Sequence, residues 1–371
     1  MRIGITCHPS AGGSGVLATE LGIALAKRGH TIHFVTPESP FRLADYYDNV
    51  YSHAVSTVMY PLFHQPPGAL TLAAKIAEVA EEFGVDLWHA HYAIPNASSA
   101  ILAREMLPPE KRFPIVTTLH GTDITLVGTD PSFYRVTLHA MRNSDAVTAV
   151  SDWLRRETER EFAIERPVRV IHNFLDPDRF KPEPARRCRL ADPDEKIVMH
   201  VSNFRPVKRV TDVVRAFKRI LDRVPARLIM IGDGPERLSA VGVARQLGIA
   251  DRIKYLGNQE RVETIIPCAN VVLQPSEHES FGLVALEAMA CEVPVIGTDS
   301  GGVREVVEHG ITGYLCEVGD IDSMAGYAIA LFENPQRARE MGRQGRMRVR
   351  ERFSQDQIVP KYEALYAEVA G

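Results

Sequence analysis

Two carboxylates eight positions apart, Glu279 and Glu287, frame the segment richest in chemistry, Glu277-His278-Glu279-Ser280-Phe281-Gly282-Leu283-Val284-Ala285-Leu286-Glu287-Ala288-Met289-Ala290. The run from Gly282 to Cys291 reads as a helix, so Glu279 precedes it and Glu287 lies two turns inside. A carboxylate accepts hydrogen bonds from paired hydroxyls, so one can hold a hexose and the other a ribose. The unpaired N–H groups of the helix's first turn can meanwhile face a phosphate. The competing reading is an amphipathic helix with one buried glutamate. A Glu among Ala, Leu and Met is costly without a partner, which favours a ligand.

A basic stretch, Ser202-Asn203-Phe204-Arg205-Pro206-Val207-Lys208-Arg209, follows a strand-like run directly. A planar guanidinium and an ammonium at a strand end offset the negative charge that grows on a departing diphosphate. His120-Gly121-Thr122-Asp123 and His89-Ala90-His91-Tyr92 end two further strands. His89 and His91 share a strand face, but no third ligand stands near them in sequence, so a zinc site is not expected. Gly12-Gly13-Ser14-Gly15 precedes a helix, where glycines let the backbone approach a phosphate or a small polar ligand. This loop has a second reading. Gly13-x-Gly15-x-x-Ala18, with Glu38 downstream, matches the dinucleotide fingerprint of a nicotinamide-dependent oxidoreductase. Against it, His8-Pro9-Ser10-Ala11 separates the strand from the first glycine, whereas that fingerprint turns at once.

The elements that must position these groups alternate along the chain. Strand-like runs are residues 2–7, 31–36, 87–91, 115–120, 146–150 and 168–171, then 197–202, 227–231, 253–256, 271–274, 293–297 and 313–316. Helix-like stretches such as 16–28, 70–83, 210–222 and 282–291 lie between them. In the first, Leu17, Leu21, Ala24 and Leu25 fall on one face. Such alternation predicts α/β architecture: two Rossmann-like, doubly wound parallel-sheet domains facing a central cleft, with ligands at the carboxyl ends of the strands. Asn173 to Glu195, carrying Pro177, Pro182, Pro184 and Pro193, has no period and reads as the boundary. The expected division is 1–175, a linker 176–195, and 196–354.

Composition bounds the partners. With 43 basic and 47 acidic residues and a net charge of −4 in 371 residues, no nucleic-acid or membrane partner held by bulk charge is implied. Self-association is left open. No window approaches the ~18 apolar residues of a membrane span. The cysteines, Cys7, Cys188, Cys268, Cys291 and Cys316, are odd in number and widely spaced, which predicts reduced thiols in a cytoplasmic protein.

Glu279-x7-Glu287, followed by Pro294-Val295-Ile296-Gly297-Thr298 and Gly301-Gly302, resembles the retaining glycosyltransferases of family four, which have the two-domain B-type fold. The resemblance covers essentially the whole chain, because the glycine loop, His120-Gly121-Thr122-Asp123, the basic strand end and Gly232-Asp233-Gly234-Pro235 occur in the same order. Four segments, 89–95, 117–125, 201–209 and 313–320, are similar to the branch that joins N-acetylglucosamine from UDP-N-acetylglucosamine to the hydroxyl of L-malate in bacillithiol biosynthesis. Two departures are visible. Asn203 stands where many relatives carry an arginine, a role Arg205 takes over, and Glu292 replaces the glycine of a Cys-Gly-Val-Pro turn. That turn is then either reached without positive φ or strained.

The resemblance implies a retaining reaction without metal or other cofactor, the three Asp-x-Asp triplets at 176, 192 and 320 being turns. His120, Arg205, Lys208 and Glu279 are the implied catalytic set. Gly15, Asn203, Arg205, Lys208, Gly234, Glu279, Phe281, Gly282, Leu283 and Glu287 form the donor set. The acceptor set, proposed from residue type and position, is Ser14, Gly15, Tyr92, Asn96, Thr118 and Arg142. No carboxylate is placed as a covalent nucleophile, so attack on the same face is expected, with the leaving phosphate taking the acceptor proton. The family also implies that helix 355–371 crosses back onto the first domain.

Overall fold

The computed structural model describes residues 1–8, 12–40, 43, 45–56, 67–183 and 189–371. Pro9–Ala11 of the glycine-loop argument, Pro184 of the boundary and Cys188 lie outside the described residues. The chain divides into two compact units. Unit 1 is Met1–Asn173 together with Gln355–Gly371, and unit 2 is Phe174–Ser354.

Among the described residues, unit 1 contains seven parallel strands: β1 (Arg2–Thr6), β2 (Thr31–Thr36), β3 (Val50–Ala54), β4 (Leu87–His91), β5 (Ile115–Leu119), β6 (Ala146–Ala149) and β7 (Arg169–Val170). Their order is β3-β2-β1-β4-β5-β6-β7. Unit 2 contains β8 (Lys196–Val201), β9 (Ala226–Ile231), β10 (Ile253–Gly257), β11 (Val271–Gln274), β12 (Val295–Thr298) and β13 (Gly313–Cys316), in the order β10-β9-β8-β11-β12-β13. In each sheet the winding reverses once, between β1 and β4 and between β8 and β11. There the loops leaving neighbouring strands diverge and open a crevice.

Strands β4 and β5 are buried along their whole length, as helices on both faces require. The helices cover the sheets by ordinary amphipathic spacing. Val210, Val213, Val214, Phe217 and Ile220 of helix Val210–Leu221 are all at most 1% exposed and join the unit 2 core with Leu228, Met230, Val271 and Leu273. The sequence reading passed over β3, whose residues are partly or fully exposed at the sheet edge and carry no apolar alternation. Helix Pro335–Arg352 was also passed over, since its apolar positions are sparse among arginines.

Three details concern the boundary and the ends. The stretch expected to be a free linker is tied to unit 2. Phe174 and Phe180 are buried, Arg346 donates to the carbonyls of Pro177 and Phe180, and Glu195 binds Arg227 and Arg252. Helix Gln355–Ala370 folds with unit 1, burying Tyr362 and Tyr366, while Glu363 binds Arg28 and His30. The expectation of five reduced thiols needs correction, because Cys268 is disulfide-bonded and sequence spacing does not reveal which cysteines a fold brings together. Cys7, Cys291 and Cys316 are free, and burial pushes Cys7 and Cys316 up to about 12. No helix among the described residues is long and apolar enough to cross a membrane.

Glu292 adopts φ +59°, so the departure from glycine is met by strain and not by a different turn. Its carbonyl lies against Gly342, where a Cβ would stand 2.1 Å from the oxygen. Glu292→Gly is therefore expected to raise stability by about 1 kcal/mol. Gly342→Ala should lower it by about 1–3 kcal/mol, since helix Pro335–Arg352 has to move off the Glu292 carbonyl. Chemical denaturation of both variants checks the pair.

Candidate functional site

In unit 2 the site residues lie on loops at the carboxyl ends of β8, β9, β11 and β12, around the reversal in strand order. Lys208 Nζ bonds Glu279 Oε2 at 2.5 Å, with both side chains at most one-fifth exposed. Gln274, 3% exposed at the end of β11, donates to the same oxygen at 3.2 Å. Oε2 is thereby committed to the protein, whereas Oε1 has no protein partner among the described residues. The carboxylate presents one fixed face and one open face.

The backbone explains why these loops hold still. The Glu277 amide donates to the Val207 carbonyl at 2.8 Å, and the Gly302 amide to the Glu279 carbonyl at 2.7 Å. The glycines of Gly232-Asp233-Gly234 and Gly301-Gly302 are required by contact. A Cβ would lie 1.8 Å from the Ser202 carbonyl at Gly232 and 2.2 Å from the Glu279 carbonyl at Gly301. Phe204 and Arg209 adopt φ +41° and +48°, conformations that non-glycine residues hold only where the surroundings force them.

His200, buried on β8, anchors this bent loop. Its Nδ1 donates to the Leu273 carbonyl at 2.8 Å, so neutral Nε2 accepts from Ser202 Oγ at 2.8 Å. Ser202 Oγ accepts the Phe204 amide in turn. Burial pulls His200 down to about 4, which keeps the ring neutral and this tautomer in place.

Around this frame, Asn203 and Arg205 are exposed, and the Arg205 guanidinium has no partner among the described residues. Arg209 is engaged by Asp212. Gly282 caps helix Leu283–Ala290 at φ +102° without a side-chain cap, which leaves the first-turn amides of Leu283 and Val284 for a ligand. Leu283 and Glu287, one turn apart, lie on the partly exposed face of that helix, while Phe281 is buried against Phe353. Phe281 therefore supports the loop and does not line it.

Unit 1 collects aromatic and imidazole rings at the carboxyl ends of β1, β4 and β5. His120 stacks on Tyr92 with centroids 5.3 Å apart, and His8 meets Tyr92 edge-on at 4.9 Å. His91 Nδ1 lies 2.9 Å from His120 Nε2. His89 is held at both nitrogens, by Thr118 and by Tyr366, each at 2.7 Å. The histidine pair at 89 and 91 thus serves hydrogen bonding, and among the described residues no cluster of three or more metal-ligating groups occurs. Tyr92, at φ +85°, is a third strained residue beside a site.

Asp123 braces the two loops. Its carboxylate accepts from the amides of His120 at 3.1 Å, Gly121 at 2.9 Å and Ala93 at 3.2 Å. Burial pushes this carboxyl up to about 6, although the three amides pull the other way.

Ser14 and Gly15 lie in the first turn of helix Gly13–Lys27, with Ser14 half-buried. Asn96 donates to the His91 carbonyl, and Thr118 is fully buried between His89 and Thr148, so both support the ring cluster from behind. Arg142 needs correction. It ends helix Pro131–Arg142, four residues before β6 begins, and so lies at the amino edge of the sheet, where it donates to the Ala163 carbonyl. Its type suits an anion, but its place in the βαβ unit does not. Conversely, His8, Asp123, His200 and Gln274 were not assigned roles from sequence, although each closes or follows a strand as functional groups in this architecture do.

Asp123 has a measurable signature. An acid whose folded value exceeds its unfolded value holds its proton longer in the fold, so it withdraws stability as pH rises from about 4 to about 6. The stability difference between Asp123→Asn and the parent protein is expected to shift in the variant's favour by roughly 2–3 kcal/mol across that window and stay flat above pH 7. Urea denaturation at stepped pH measures it.

Comparison with known proteins agrees with this geometry. Residues 11–179 match the model for Glycosyltransferase Family 4, and residues 183–348 match that for Glycosyl transferases group 1. The chain is 46% identical, over 100% of its length and 97% of the relative's, to N-acetyl-alpha-D-glucosaminyl L-malate synthase of Bacillus anthracis. It is 31% identical, over 81% of its length and 69% of the relative's, to D-inositol 3-phosphate glycosyltransferase of Gordonia bronchialis. Among solved structures, sucrose-phosphate synthase of Thermosynechococcus elongatus aligns with a TM-score of 0.83 at 24% identity, covering 99% of this chain and 98% of that one. Anabaena HepE, solved with UDP and glucose, aligns at 0.84 and 21% identity, with 99% of each chain covered. The chain is a glycosyltransferase of the two-domain B-type fold and belongs to glycosyltransferase family 4.

Proposed function

We propose that the protein transfers N-acetylglucosamine from UDP-N-acetylglucosamine to the hydroxyl of L-malate with retention at the anomeric carbon, releasing UDP, as the first step of bacillithiol biosynthesis. The observation that carries this reading is the full-length 46% identity to the Bacillus anthracis synthase. The geometry of unit 2 supports the donor. The open Oε1 of Glu279 accepts from hexose hydroxyls while Lys208, Arg205 and the first-turn amides of Leu283 and Val284 take the diphosphate. Glu287, one turn further along the same helix face, accepts from the ribose hydroxyls.

The chemistry follows from where charge moves. As the bond from the anomeric carbon to the phosphate oxygen breaks, negative charge builds on the β-phosphate, and Lys208 and Arg205 stabilise it before it forms fully. Lys208 is held by Glu279, so sugar and phosphate are gripped by one coupled pair. The acceptor hydroxyl attacks the face the phosphate is leaving. Its oxygen bonds the anomeric carbon, and its proton passes to the departing phosphate oxygen. Malate is a dianion, and in unit 1 the Ser14 hydroxyl, the Gly15 amide and the Tyr92 hydroxyl are the donors that suit it, with His8 beside Tyr92. Asn96 and Thr118 hold this set in place, and Arg142 has no part in it.

Two measurements test the reading. UDP release from UDP-N-acetylglucosamine should depend on L-malate and yield a product with the mass of N-acetylglucosaminyl malate. Release with a different acceptor only would keep the chemistry and discard malate. Glu287→Ala is expected to weaken UDP binding roughly tenfold or more, as loss of hydrogen bonds to a charged acceptor does. Unaltered calorimetric affinity would remove the ribose role.

A further inference from the structure

The ring of His120 can face a ligand in two opposite ways, and a neighbour with no other visible purpose selects between them. His91 is fully buried, its Nδ1 lies 2.9 Å from His120 Nε2, and its Nε2 is enclosed with no hydrogen-bond partner among the described residues. His120 Nδ1 has no protein partner among the described residues either, but His120 is only half-buried, so this nitrogen is the one left for a ligand. Burial, reinforced by neighbouring imidazoles, holds both rings well below the usual histidine range. Both are therefore neutral at pH 7, and the nitrogen–nitrogen contact contains one proton.

That proton has two possible owners. If it belonged to His120, His91 would carry its own proton on Nε2, an N–H donor sealed away with nothing to accept it. An enclosed donor of that kind is rare in folded proteins, because it loses its bond to water and gains none. If it belongs to His91, the enclosed Nε2 is a bare lone pair, and the proton of His120 moves to Nδ1. The His120 ring is held between stacked neighbours, with the centroids of His91 and Tyr92 at 5.1 and 5.3 Å.

We propose that His91 is a positioning residue that fixes His120 as the Nδ1–H tautomer, so that His120 presents a hydrogen-bond donor and not a base to the ligand of unit 1. This rests on the proposed function for the identity of the group that meets the ring. A donor at that point accounts for the lack of an acceptor on Nδ1 among the described residues, and it leaves the acceptor's proton to the departing phosphate.

Long-range proton–nitrogen correlation spectra of the histidine rings read the tautomer directly, with His120→Gln used to assign the signal. The expected result is a protonated Nδ1 and a bare Nε2 on His120. His91→Leu should move the proton toward Nε2 and lower kcat roughly tenfold or more while both Michaelis constants stay near their parent values. His91→Asn, whose amide N–H reaches the place of Nδ1, should restore the tautomer and most of kcat. A protonated Nε2 on His120 in the parent protein overturns the proposal, as does an asparagine variant as slow as the leucine one. The spectra of the parent decide the matter even if the leucine variant fails to fold. An Nδ1–H signal in a protein that turns over no malate upholds the tautomer and removes the acceptor assignment instead.

Discussion

A single partly shielded ion pair organises unit 2. Lys208 and Glu279 come from loops after β8 and β11, strands that are neighbours in space and separated by seventy residues of chain. Neither charge would be tolerated at this depth alone, since removing water from a lone carboxylate or ammonium costs far more than a loop can repay. Their pairing makes the site cheap to keep in the absence of ligand. It also leaves the site responsive, because Lys208 and the open Oε1 of Glu279 can each take a further polar partner. Gln274, His200 and the tight glycine contacts are arranged around the need to hold these two groups at one distance.

Unit 1 follows a different logic. Its ring cluster is built from uncharged groups, with neutral imidazoles stacked on a tyrosine beside a backbone-bound carboxyl. Asp123 is the one carboxylate of that cluster among the described residues. It faces three main-chain amides and is spent on loop geometry.

Much of this was legible in the sequence because the fold writes it locally. Strand ends such as Leu87–His91 and Val271–Gln274 were bounded correctly, since short β-branched runs between helical periods are unambiguous in a parallel sheet. Glu279, Glu287 and Lys208 were visible as polar residues in places where only a ligand or partner justifies them. What sequence could not supply was pairing across distance. Nothing local couples Lys208 to Glu279 or His91 to His120, and nothing local brings Tyr366 to His89. Arg142 was misjudged for the converse reason. A cation suited to an anion was placed by type, when its four-residue lead before β6 already assigned it to the far edge of the sheet.

The helix Gln355–Ala370 has a consequence for how the molecule comes into being. Unit 1 is discontinuous, and its final helix emerges from the ribosome after all of unit 2. Its first 173 residues must therefore wait, with the apolar groove that later receives Tyr362 and Tyr366 uncovered and His89 lacking one of its two partners. Unit 2, by contrast, is contiguous and has every strand it needs once Ser354 is made. The half synthesised first is thus completed after the other, and the Tyr366–His89 contact forms only once unit 2 has been made.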